Sequence, residues 1–226
     1  MLEMYFKKGA VFEWTRPQTN IVPPDGALMD KQRRSTPMKF LGTIADMGFS
    51  SLMDAALPAN YFSGVGLTPG TTIRYKWLDY APGRTARVEI RTRDILTGPM
   101  SGCPILHWRQ GANSYVGHVG TIFGNAPVNT LVKASIQPVL PATARGFNPA
   151  APWPFAQISP MMGGKAMLSG PEILAYVTSG GVFYSTVFYA LPNPRSGMPD
   201  SLSAKVCAGS VQCPPVMGAA LQALLN

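Results

Sequence analysis

The chain has 226 residues, 46% of them hydrophobic and 13% charged, with apolar and aromatic residues spread along its whole length; this composition excludes disorder and is enough for a real core. Gly (23) and Pro (22) together make about a fifth of the residues, which points away from a helical bundle and towards many short elements joined by turns. A formal charge of +8 favours acidic partners, without choosing among an acidic protein surface, nucleic acid and anionic lipid.

In chain order, MLEMYFKKGAVFEW (1–14) lacks the uninterrupted apolar region of an export signal, and no later run reaches transmembrane length. Residues 17–37 are Pro-rich and read as a surface loop. GVGLTPG (64–70) precedes a strand where a dinucleotide fingerprint should follow one, so it too reads as a loop. TTIRYKWLDY (71–80) alternates Ile73, Tyr75 and Trp77 with Arg74 and Lys76, and TARVEIRTR (85–93) alternates Val88 and Ile90 with charged residues. Joined by APGR, the two predict a β-hairpin in which Arg87, Arg91 and Arg93 share a solvated face.

PILHW and NSYVGHVGTI predict a second hairpin around RQGAN, with Gly111 and Asn113 suited to a tight turn. NAPVNTLVKASIQ reads as a helix, with Asn125 as N-cap and Pro127 near its start. Residues 141–160 are irregular, and GGKA (163–166) lacks the phosphate-loop spacing. SGPEILAYV (169–177) has the Ser169-to-Glu172 spacing of a capping box and predicts a helix. VFYSTVFYAL (182–191) is a strong strand candidate, SAKVCAGS (203–210) a weaker one, and PPVMGAALQALL a last amphipathic helix. Together these predict one mixed α/β domain of the α+β kind, spanning 1–226 on antiparallel or mixed sheets.

The three cysteines, at 103, 207 and 213, form neither a disulfide framework nor a paired zinc spacing, and no metal or cofactor site is expected. Cys103 stands out because it lies in MSGCP, on a glycine turn near one of only two histidines. A cysteine nucleophile needs an imidazole to take its proton. No histidine precedes Cys103 and none follows position 118, so neither a chymotrypsin-like nor a papain-like order fits and the base must be local. With a two-residue turn at 111 and 112, position 118 lies opposite 105, which puts His118 on the face of Cys103 and diagonal to it. His107 is the fallback base, although a place in mid-strand beside Trp108 suits packing. Cys207 and Cys213 have no histidine nearby and read as structural thiols, as Trp77 and Trp108 read as core.

Met100-Ser101-Gly102-Cys103, with Thr97 six residues before the cysteine and a histidine fifteen after it, resembles the glutamine deamidases grouped around cytotoxic necrotizing factor, Burkholderia lethal factor and the chemotaxis receptor deamidase CheD. Their signature is Leu-Ser-Gly-Cys with a downstream histidine; Met100 replaces the leucine here, a volume-conserving change. The likeness covers about 25 residues. It implies a sandwich of two mixed sheets flanked by helices and loops, and a Cys103–His118 mechanism in which Thr97 orients the imidazole and backbone N–H groups around Ser101, Gly102 and Cys103 form the oxyanion hole. No cofactor takes part.

On length the lethal-factor branch fits best. It implies a monomeric toxin that leaves a bacterial cytoplasm and acts in the host cytosol on a protein glutamine, with the translation initiation factor eIF-4A as candidate target; the necrotizing-factor branch implies Rho GTPases. No membrane or direct nucleic-acid partner is expected on this reading. The alternatives are a chemotaxis-type receptor deamidase, transglutamination by an amine that intercepts the same thioester, and a non-catalytic basic domain that binds nucleic acid or an acidic protein.

Overall fold

The computed structural model describes residues 2–14, 17, 23–31, 34–43, 68–153, 171–190 and 204–226. Among these residues, twelve strands fall into two sheets. The first contains β1 (Ala10–Glu13), β3 (Arg34–Thr43), β4 (Thr72–Leu78), β6 (Ile95–Thr97), β10 (Glu172–Val177), β11 (Phe183–Ala190) and β12 (Ala204–Cys213). It closes on itself in the order β1-β12-β11-β10-β6-β4-β3. The second runs β2 (Leu28–Asp30), β5 (Thr85–Ile90), β8 (Asn113–Val119), β7 (Ile105–Gln110), β9 (Arg145–Phe147).

Both sheets are mixed, because β4 pairs parallel with β6 and β2 parallel with β5 while their other pairings are antiparallel. The mixed α/β class expected from the predicted elements is therefore present and dominated by strands, but the sandwich implied by the resemblance is corrected: one of the two sheets is a closed barrel. Closure removes the open edges of that sheet.

Alternation along the strands builds two different cores. In β10, Ile173, Ala175 and Val177 pack in one cluster with Val88, Ile90, Ile105 and Val116 of the second sheet. Leu174 and Tyr176 pack in another, with Leu2, Phe6, Phe12, Trp77 and Phe188. The far side of the second sheet carries Leu106, Trp108 and Val119, covered by helices α1 (Ala126–Ile136) and α2 (Gly218–Leu225). Each helix buries an i, i+4 pair, Val132 with Ile136 and Leu221 with Leu225, as an amphipathic helix on a sheet requires.

The hairpin expected between residues 71–80 and 85–93 is not formed. Both strands are there, with the anticipated alternation in β4, but β4 belongs to the barrel and β5 to the second sheet, so APGR is the crossing between sheets. Periodicity reports which residues are buried, not which strand lies alongside. The helix expected at 169–177 is also corrected: Glu172–Val177 is a strand paired with both β6 and β11. Its burial is almost continuous, the pattern of a strand covered on both faces, which periodicity alone confuses with a helix. Ser169 lies outside the described residues, as does GGKA.

The loop segments contain short strands, β2 and the start of β3 within 17–37 and β9 within 141–160. Of GVGLTPG only 68–70 are described, and they form a turn. The hairpin of β7 and β8, the strands β11 and β12 and both remaining helices stand where the sequence places them.

Asn125 caps α1 by accepting a hydrogen bond from the Val128 amide at 3.3 Å. Asn125→Ala should lower stability by about 1 kcal/mol in urea unfolding, because a first-turn amide then loses its partner.

Candidate active site

The site lies where the chain crosses from barrel to second sheet between β6 and β7, the third such crossing among the described strands. Thr97 ends β6, the turn 98–102 follows, and Cys103 comes just before β7. Two glycines shape that turn. Gly98 has φ +155°, and a Cβ there would meet Leu174 Cδ2 at 2.3 Å; Gly102 has φ +137°, outside the range of other residues. The turn is pinned to the barrel by the Met100 amide, which donates to the Ile173 carbonyl at 2.8 Å.

β7 and β8 meet in the expected register, with Gln110 opposite Asn113 across Gly111 and Ala112, and Ile105 opposite His118. Val119 and Leu106 join the helix-covered core, so His118 and Ile105 point the other way, towards the barrel.

Thr97 reaches His118 from the barrel side. Its Oγ1 lies 2.7 Å from the Leu78 carbonyl and 2.8 Å from His118 Nδ1. A hydroxyl has one proton, and a carbonyl can only accept. The proton therefore goes to Leu78, Thr97 accepts from Nδ1–H, and in the neutral ring Nε2 keeps its lone pair. Among the described residues that Nε2 is buried with no hydrogen-bond partner. An unmade hydrogen bond on a buried acceptor costs about 1–3 kcal/mol, a condition Nε2 shares with the buried indole N–H groups of Trp14, Trp77 and Trp108 and the Tyr75 hydroxyl.

His107 is in the opposite condition. Arg145 Nη2 donates to its Nδ1 at 2.9 Å, so its lone pair is used and Nε2 carries the proton. Burial, with Arg145 and Arg109 adding to it, lowers its pKa to about 4. The fallback base is thus a packing residue, stacked at its edge on Phe183.

Cys103 is buried, with 2% of its surface exposed. Thr121 Oγ1 donates to its sulfur at 3.2 Å, and the thiol faces the Thr121 carbonyl at 3.6 Å. It makes no hydrogen bond to His118, whose Nε2 stands free. Desolvation pushes the Cys103 thiol above its ordinary value, opposed by Thr121 and by backbone groups of Ser101 and Cys103. Desolvation also lowers His118 to about 3. Both shifts favour neutral species, so the resting site holds a thiol and an imidazole and not the thiolate–imidazolium pair. Ser101 is exposed and Gly102 half-buried, leaving the turn open on that side.

Two residues missed from the sequence complete the cluster. Tyr80 packs its ring 5.2 Å from that of His118 and donates its hydroxyl to the Thr121 carbonyl at 2.8 Å. Thr121 follows His118 by three residues and could have been suspected as a polar neighbour, but nothing in the sequence signals Tyr80, which arrives from the end of β4.

Thr97→Val keeps the shape while stranding both Leu78 O and His118 Nδ1. Urea unfolding should show a loss of about 1–3 kcal/mol, largely restored in Thr97→Ser.

Elsewhere, Cys207 and Cys213 are buried, with burial raising each thiol to about 11. Among the described residues, no three His, Cys, Asp or Glu side chains gather as a metal site. Among these arginines, Arg87 pairs with Asp30 and lies over the Tyr115 ring, Arg91 pairs with Glu89, and Arg84, in the turn before β5, pairs with Asp25. No protein-family model matches this chain, no curated protein matches its sequence, and no solved structure matches its fold.

Proposed function

We propose that the protein is a cysteine-dependent protein-glutamine deamidase in which Cys103 is the nucleophile, His118 the general acid and base, and Thr97 the residue that orients the imidazole. The observation that supports this most is the hydrogen-bond chain from Leu78 through Thr97 to His118 Nδ1, which leaves a free lone pair on Nε2 in the strand beside the cysteine turn. The other histidine differs, since the His107 Nδ1 lone pair is taken by Arg145.

In this reading Nε2 takes the thiol proton as Sγ bonds to the glutamine carboxamide carbon. The C–N bond then breaks with transfer of that proton to nitrogen, releasing ammonia and leaving a thioester. Water, giving a proton to Nε2, attacks the thioester; the C–S bond breaks, glutamate leaves, and the sulfur regains its proton. The amides about Ser101, Gly102 and Cys103 hold the oxyanion. In this reading the whole chain acts as one domain.

The target is a host protein, with eIF-4A the first candidate and Rho GTPases the second, both on the strength of the sequence resemblance. Incubation with a host cell extract, followed by peptide mass spectrometry, should reveal one glutamine converted to glutamate that stays unconverted with Cys103→Ala. Conversion by that variant at the wild-type rate overturns the proposal. Adding a primary amine tests whether transglutamination competes.

A second reading draws on the 2% exposure of Cys103 and on a thiol already satisfied by Thr121: a non-catalytic basic domain with a structural cysteine. Partner binding that weakens steeply with salt and ignores Cys103→Ser would favour it.

A further inference from the structure

The neighbours of the Cys103 sulfur include a hydroxyl that the deamidase mechanism above does not use. Thr121 Oγ1 donates to Sγ at 3.2 Å. The Thr121 backbone is in turn fixed from the other side, since its carbonyl accepts the Tyr80 hydroxyl at 2.8 Å while the Tyr80 ring packs on His118. The Thr121 amide donates to the Val119 carbonyl at 2.9 Å, so the residue is held through both its backbone polar groups. A chain of contacts thus runs from the candidate base through Tyr80 and Thr121 to the candidate nucleophile.

We infer that Thr121 is a positioning residue of the cysteine: its hydroxyl, locked in place by Tyr80, fixes the sulfur and stabilises the thiolate formed when the proton leaves. The inference rests on the reading of Cys103 as a reactive thiol. Its physical basis is that a hydroxyl donating to a charged acceptor is worth roughly twice one donating to a neutral acceptor, so the bond strengthens as the thiol ionises. The Thr121 carbonyl, by contrast, faces the thiol as an acceptor and would repel a thiolate. The Tyr80 hydroxyl occupies that carbonyl and blunts the repulsion.

The test reads the thiol itself and needs no substrate. The rate of Cys103 alkylation by iodoacetamide is followed by mass spectrometry from pH 5 to 10.5 in wild type, Thr121→Val, Thr121→Ser and Tyr80→Phe. Among the described residues two other titratable groups, His118 and Tyr80, sit against the site, and each keeps one form across that range. Burial holds His118 neutral down to about 3, and it raises Tyr80 to about 12, with the charge of a Cys103 thiolate adding to that rise.

Thr121→Val should move the midpoint up by about one pH unit, roughly a tenfold slower reaction at a fixed pH below it. Thr121→Ser should return to the wild-type profile, and Tyr80→Phe should shift in the same direction by less. A Val profile that superimposes on wild type, a Ser variant that behaves as Val, or a folded wild type whose Cys103 is never alkylated overturns the inference. A shifted Val profile in a protein that converts no glutamine in any extract leaves the thiol assignment standing and removes only the deamidase reading.

Discussion

Cys103→Ala should reduce glutamine conversion below detection, and His118→Gln should reduce it by about 10²–10⁴-fold, both without loss of the folded state by circular dichroism. In the proposed mechanism the two losses differ because the first removes the atom that forms the covalent bond and the second only the group that moves the proton. Gln is chosen because its amide can still meet Thr97 while offering no base. His107→Ala should retain most of the activity, since the His107 lone pair is occupied by Arg145. Conversion assayed by mass spectrometry distinguishes the bases directly: activity lost in the His107 variant and kept in His118→Gln would reverse the assignment. The pH profile carries a second signature. Burial pushes the thiol up and the imidazole down, so alkylation of Cys103 should rise once, on the alkaline side, with no plateau of reactive thiolate below neutrality.

The local parts of this site were legible in the sequence and the long-range parts were not. The register that puts Ile105 opposite His118 follows from a two-residue turn, and turn length is written in GAN. That His118 points towards the barrel follows from the same register. Nothing comparable announces that β4 leaves its expected partner for the barrel, or that it thereby delivers Leu78 and Tyr80 to the site, because strand pairing depends on closure of the whole sheet. The segment EILAYV shows the same limit from another side. Its capping-box spacing is a local signal, and it was overridden by strands that pair with both of its edges, β6 and β11, and by the two cores that bury its two faces. Thr97 could be proposed through its resemblance to a known motif; its hydrogen bond to a carbonyl nineteen residues earlier, which fixes the histidine tautomer, is tertiary and invisible to spacing.

Between pH 7 and pH 4.5 the wild-type protein should lose about 2–3 kcal/mol of stability through His118 alone. The ordinary value for histidine is about 6.5, and burial lowers His118 to about 3 in the folded chain. Below 6.5 the unfolded chain therefore binds a proton that the folded chain refuses, so stability falls with falling pH; it is whole above 6.5 and continues to be lost until the folded group itself titrates near 3. His107, lowered to about 4 by burial and its two arginines, acts in the same direction over a narrower window. Carboxylates titrate across part of this range as well, and the comparison that removes them is with His118→Asn, whose side chain cannot charge. Urea unfolding at the two pH values should show a drop smaller by those 2–3 kcal/mol in the Asn variant, although that variant starts lower at pH 7. Equal drops in the two proteins would mean that the folded site accepts a proton on His118 at pH 4.5, and an imidazole that charges so readily would not be held neutral beside the thiol as this site requires.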